Sequence, residues 1–268
     1  MNLFYGGNEF GEAYHAAAFI ASVDGGTIEL RGKESSWLKT CEFLNEIRKD
    51  SCKIVPNKGN STANPIGYSA DEFLKRKFEN LPKIVENRIS SLLSCSGDIA
   101  ARAANFASNE PSCFLWIRHG SKFESRRDMS RIAYNQLLCV LEEAGIRPIV
   151  VGSSASYLDS EGPTNLINFW KEESGRYELN PKSQLMLLNE ICNVCPIRFS
   201  LGMKSGAMDG LAFVRQLPTF YITHPEYNGR MDKVEAAFPA FKKVPVKYNK
   251  KFLGFEVKEL EGLYGQLA

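Results

Sequence analysis

Short apolar runs bounded by turn-forming residues alternate along the chain with stretches whose apolar residues recur every three to four positions, the signatures of strands and amphipathic helices. Asn2–Tyr5 reads as a strand ended by Gly6 and Gly7, residues 10–22 (FGEAYHAAAFIAS) as an alanine-rich helix, and Thr27–Arg31 as a second strand. Trp37, Leu38, Cys41, Leu44 and Ile47 keep helical spacing within 36–48, and Cys52–Pro56 is a third strand. The polar stretch 57–67 predicts a loop, and 71–93 a long amphipathic helix kinked at Pro82.

A second series opens with CFLWIR (113–118), a continuous apolar run up to Arg118, as expected of a parallel strand buried on both faces. A polar loop (HGSKFESRRD) leads into helix 129–144, stopped by Gly145, and Ile149–Val151 is a strand ending in Gly152. A helix runs from Pro181 to Val194, a strand spans Ile197–Leu201, a helix Gly206–Arg215 and a strand Pro218–Ile222, with helical patches near 231–238 and 255–266. This alternation predicts an α/β fold with parallel sheets and helical crossovers. Each series has the size of one Rossmann-like half. The small, polar stretch Ala107–Ser112 predicts the boundary, giving an N-terminal half 1–108 and a C-terminal half 109–268. Two doubly wound halves facing a cleft is the reading; one large doubly wound sheet is its competitor.

Composition narrows the classes. With 44% hydrophobic and 24% charged residues in 268, the chain has enough apolar surface to exclude disorder. A net charge of +2 singles out neither nucleic acid nor membrane. No apolar run reaches the length of a membrane span, and the first residues lack the basic start of a secretory signal. Seven cysteines without such a signal predict reduced thiols and a cytoplasmic protein. Cys192 and Cys195 form a CxxC with no second pair or histidine beside it, which reads as small hydrophobes at a helix end.

Chemistry in open α/β sheets sits at the carboxyl ends of strands, and His15, His119 and His224 all map to such exits. The first exit is GGNEFGEAYH, where Glu9 and Glu12 either complement a helix dipole or supply a carboxylate base. It lacks the GxGxxG spacing of dinucleotide binding. The second gathers Arg118, His119, Lys122, Arg126 and Arg127, cations suited to phosphate oxygens or to a solvated loop. At the third, Lys204, Ser205 and Gly206 open a helix whose free N–H groups could hold a diphosphate.

Together the three exits resemble the inverting GT-B glycosyltransferases, particularly the heptosyltransferase-like group. In that family a Gly-Asp, often followed by a His, opens the first helix; Gly11, Glu12 and His15 occupy that place. The family's aspartate is its proposed base, so the resemblance gives Glu12 that role, with Glu9 the alternative. FLWIRHGSK fits the family's buried strand and donor-phosphate loop, with Lys122 or Arg126 as the cation. IRHG is also similar to the nodulation-type fucosyltransferases, where an arginine at this strand end serves a GDP-sugar; Arg118 matches it. Lys204-Ser205-Gly206, then Gly210-Leu211-Ala212 and Leu217-Pro218-Thr219, follow the family's later turn, helix and strand, and Pro181-Lys182-Ser183 matches the preceding helix start.

The resemblance implies a compact GT-B transferase that uses a nucleoside-diphosphate sugar and an unidentified acceptor, with single displacement and inversion. With no DxD in the chain it implies metal independence, and it calls for no cofactor beyond the donor substrate. A non-catalytic nucleotide or sugar-phosphate binding protein, or a sugar-nucleotide epimerase or hydrolase, is the alternative. The stretch 241–255 carries five lysines interleaved with aromatics; it reads as a solvated edge, or as a contact for an anionic surface or acceptor.

Overall fold

The computed structural model describes residues 2–5, 10–22, 26–31, 44, 46–47, 52–57, 80–91, 93, 97–119, 128–152, 166, 181–203, 205–223, 229–245, 248–249, 254–255, 262, 264–265 and 267. Strand β1 (Asn2–Tyr5) precedes helix α1 (Phe10–Ser22), and β2 (Gly26–Arg31) and β3 (Cys52–Asn57) follow. The three strands form a parallel sheet in the order β1-β2-β3, with Leu3 opposite Ile28 and Ile28 opposite Ile54. From Ala13 to Ala21 every side chain of α1 is buried. A helix apolar on all sides belongs in an interior, and its alanines let neighbouring backbones approach closely.

Helix α2 (Leu81–Ser90) corrects the kinked helix expected across 71–93. Asn80 takes a left-handed φ of 67°, so no continuous helix passes through it. Pro82 instead lies in the first turn, where its missing N–H leaves no bond unmade. Residues 71–79 lie outside the described residues. A short helix that sequence periodicity did not suggest, α3 (Gly97–Ala103), continues into a 3-10 turn at Ala104–Phe106.

The second series starts at β4 (Ser112–Ile117), whose six side chains are all buried. Then come α4 (Arg131–Glu143), β5 (Arg147–Gly152), α5 (Pro181–Val194), β6 (Ile197–Met203), a 3-10 turn Gly206–Met208 and α6 (Asp209–Val214). The series ends with β7 (Thr219–Thr223), α7 (Gly229–Ala237) and β8 (Phe241–Pro245). All five strands run parallel in the order β5-β4-β6-β7-β8.

Covering β4 on both faces follows from this order. The chain steps from β4 to β5 on one side, then crosses to β6 on the other. Crossovers of a single hand must then place their helices on opposite faces. Cys113, Leu115 and Ile117 accordingly pack with α4, while Phe114 and Trp116 pack with α5 and α6. The architecture is α/β with a parallel five-stranded sheet, compatible with a Rossmann-like fold.

The expected linker Ala107–Ser112 is bonded into this second unit. Ser108 N–H donates to the Val194 carbonyl at 3.4 Å, and Ser112 N–H to that of Pro196 at 3.1 Å. Arg147 secures the same corner, donating to the Phe106 carbonyl at 3.1 Å and to Ser112 Oγ at 3.2 Å.

Of the lysine-rich 241–255, residues 241–245, 248–249 and 254–255 are described, and Lys247, Lys250 and Lys251 lie outside them. The first residues of the stretch form the edge strand β8, in which Phe241 and Val244 are buried while Lys242 is exposed and Lys243 pairs with Asp232. Further on, β9 (Tyr248–Asn249) and β10 (Gly254–Phe255) pair antiparallel. The Gln136 amide accepts from Phe255 N–H at 2.8 Å and donates to its carbonyl at 3.0 Å, imitating a neighbouring strand. Among the described residues, no helix is long and apolar enough to cross a membrane.

Candidate functional site

The strand order has a reversal between β4 and β6, and crevices in open α/β sheets form at such a point, beyond the carboxyl ends of the strands. The register ends with Trp116 opposite Gly202, so the chain leaves β4 at Arg118 and His119 beside the exit of β6 towards Ser205 and Gly206. Adjacent strands lie about 4.8 Å apart. Two of the three predicted exits are therefore neighbours. Glycine at 202 permits this contact, because a Cβ there would stand 2.4 Å from the Trp116 carbonyl oxygen.

Arg118 is half-buried, with its Nε 4.0 Å from Asp128 Oδ1. Met129 N–H donates to the Arg118 carbonyl at 2.7 Å, which ties the start of α4 to the end of β4. Ser130 then caps α4, accepting from Ala133 N–H at 3.1 Å. His119 is exposed. On the neighbouring exit Ser205 is extended, and its carbonyl accepts from Met208 N–H at 3.1 Å to start the 3-10 turn. Lys122, Arg126, Lys204, Glu9 and His224 lie outside the described residues. Glu12 belongs to the first turn of α1, and its side chain also lies outside them.

His15 is in the interior. It is 3% exposed, and its Nε2 lies 2.7 Å from Asp209 Oδ2. Tyr221 donates its hydroxyl to the other oxygen, Oδ1, at 2.6 Å. A carboxylate that accepts from a tyrosine at one oxygen and faces an imidazole nitrogen at the other places the imidazole proton on Nε2. Burial raises the Tyr221 hydroxyl well above its usual ionisation range, and the Asp209 charge and hydrogen bond add to that, so the phenol remains a donor. Aromatic rings surround the group. Phe213 meets His15 edge-on at 5.0 Å, and Phe241 stacks on Tyr221 at 5.6 Å with an interplanar angle of 2°.

Tyr14, the adjacent residue of α1, behaves the same way. Its hydroxyl donates to the Pro181 carbonyl at 3.0 Å and lies 2.9 Å from Gln184 Oε1. Both polar side chains of the buried stretch of α1 thus find partners far along the sequence, on α5 and α6. Opposite Tyr14, a Cβ on Gly210 would come within 3.1 Å of its ring and 2.9 Å of Leu185 Cδ1.

Asp128, Asp209 and Tyr221 were missed as site neighbours. The available signal was the lone charged residue of an apolar run, Asp209 in GAMDGLAF. Cys113, Cys139, Cys192 and Cys195 are free thiols. Burial pushes Cys192 up to about 12, and Cys195 Sγ accepts from Arg147 at 3.4 Å. Among the described residues no three His, Cys, Asp or Glu side chains gather as a metal site. No family model matches the chain, and no curated protein or solved structure matches it.

Proposed function

We propose that the protein is a glycosyltransferase that takes a sugar from a nucleoside-diphosphate donor, with the diphosphate seated beyond the β4 and β6 exits. The observation that carries this reading is the strand order, which makes Arg118-His119 and Ser205-Gly206 neighbours at a reversal point. A carboxylate of the α1 turn, Glu12 or Glu9, takes the proton of the acceptor hydroxyl. The acceptor oxygen bonds to the anomeric carbon as the bond from that carbon to the diphosphate oxygen breaks, which inverts the configuration. Arg118, His119, Lys122, Arg126 and Lys204 balance the charge of the leaving diphosphate. In this reading the three-stranded and five-stranded sheets are the two halves of a compact GT-B enzyme.

One observation favours a second reading, a nucleotide or sugar-phosphate binding protein without turnover. His15, the catalytic candidate whose side chain is described, is buried, and its Nε2 is engaged by Asp209.

A thermal-shift screen with ADP, GDP, UDP, CDP and their sugar conjugates tests the proposal. Expected is selective stabilisation by one base, about 2.7 kcal/mol when ligand reaches 100 times Kd, abolished by Arg118→Ala. No shift at millimolar ligand overturns it. A shift without transfer to any acceptor supports the binding protein instead.

A further inference from the structure

We infer that Tyr221, Asp209 and His15 form a positioning clamp that fixes α1 against the β6–α6 connection and so sets the separation of the carboxylate-bearing turn from the diphosphate seat. Its catalytic consequence rests on the glycosyltransferase reading; the clamp itself does not.

Asp209 is the first residue of α6, three positions after Gly206. His15 lies one helical turn after Glu12, so whatever orients the imidazole also orients the turn that carries the carboxylate. The link between them is short and shielded, with contacts of 2.7 and 2.6 Å around a carboxylate that is 5% exposed. Hydrogen bonds to a buried charge are strong and directional, because neither partner has water to turn to. Both carboxylate oxygens are used, so a rotation of α1 about its axis pulls the imidazole away from Asp209 Oδ2. Tyr221 sits on β7, a strand paired in register with β6, with Tyr221 opposite Gly202. The anchor is therefore the sheet itself. Next to it, Tyr14 reaches α5, which gives α1 a second fixed point and stops it from pivoting about the first.

The test uses the full chain with Asp209→Asn, Tyr221→Phe and His15→Gln, the second serving if the first does not fold. Long-range nitrogen–proton NMR, with the His15 signal identified by its loss in His15→Gln, should show the imidazole proton on Nε2 in the wild type. Amide exchange in residues 13–21 should accelerate about ten-fold more than in residues 133–141 of α4 in Tyr221→Phe. Equal acceleration in both helices, or none in α1, overturns the clamp.

Turnover then tests its use. With the donor identified by the screen above, kcat should fall about ten-fold in Tyr221→Phe while donor Kd stays within about two-fold. An unchanged kcat, or a parallel loss of donor binding, overturns positioning. A wild-type chain that binds a nucleotide sugar and transfers nothing overturns the glycosyltransferase reading together with the catalytic use of the clamp. The exchange pattern still decides the clamp alone.

Discussion

Gly202→Ala tests how closely the two strands flanking the reversal point are joined. The new Cβ would stand 2.4 Å from the Trp116 carbonyl oxygen and 2.8 Å from Trp116 Cβ. Neither atom can withdraw cheaply, because β4 is paired with β5 on one side and β6 on the other. Reaching ordinary contact needs a separation about 1 Å larger, at the cost of ladder hydrogen bonds. Overpacking of a well-filled interior costs about 1–3 kcal/mol, and a backbone clash belongs at the upper end. A loss of about 3 kcal/mol lowers Tm by about 6–12 °C in a chain of this size. Gly145 supplies the control. Its φ is +65° and nothing lies within 4 Å of a built Cβ, so alanine there meets backbone strain without a clash, about 1–2 kcal/mol. Urea unfolding of both variants, followed by tryptophan fluorescence, compares the two terms directly. If Gly202→Ala destabilises no more than Gly145→Ala, the strands are not held as tightly as argued.

Tyr221→Phe keeps the stacking on Phe241 but removes one donor from the buried Asp209, and should cost about 2 kcal/mol in urea unfolding; a loss below about 0.5 kcal/mol refutes this. Burial raises the Cys192 thiol from 9.0 to about 12, so the unfolded chain releases that proton from about pH 9 while the folded chain keeps it. Stability should therefore fall as pH rises from about 9 towards 12, less steeply in Cys192→Ala; matching urea midpoints at pH 8 and 10.5 would contradict it. Asp128→Asn removes the carboxylate facing Arg118 and should tighten pyrophosphate binding about three-fold by calorimetry. Weaker binding would show that Asp128 organises the seat rather than competing for it.

Much of the fold was legible because parallel strands and amphipathic helices announce themselves locally. CFLWI is buried at every position, as its unbroken apolar run demands, and PKSQLMLLNEICNV forms the helix its spacing predicts. Strand β8 was not legible. Phe241 and Val244 stand three positions apart and are buried in the cores on opposite faces of the sheet, so FKKVP shows neither the period-two alternation nor the apolar run of a strand. The helix start at Leu81 escaped for a different reason. Pro82 signals a break anywhere in a helix except its first turn, and only the φ of Asn80 tells the two cases apart. Within the site, the exits of β4 and β6 could be read from residue type, but their adjacency required the strand order. The partnership of His15 with Asp209 spans 194 positions, beyond the reach of any periodicity.

That span has a consequence during synthesis. A ribosome adds about 5–20 residues per second, so roughly 10–40 s separate the emergence of His15 from that of Asp209. Until that interval ends, the nine residues from Ala13 to Ala21, buried in the finished protein, lack the covering that α6 supplies. Helix α1 is made well before the elements that complete its enclosure. Contacts of such long loop closure make folding slow and leave the nascent chain prone to aggregation. A chain stalled before residue 209 should therefore be held by chaperones through the AAAFIA segment, and recoded slow codons between β4 and β6 should lower the soluble yield more than the same codons placed after β8.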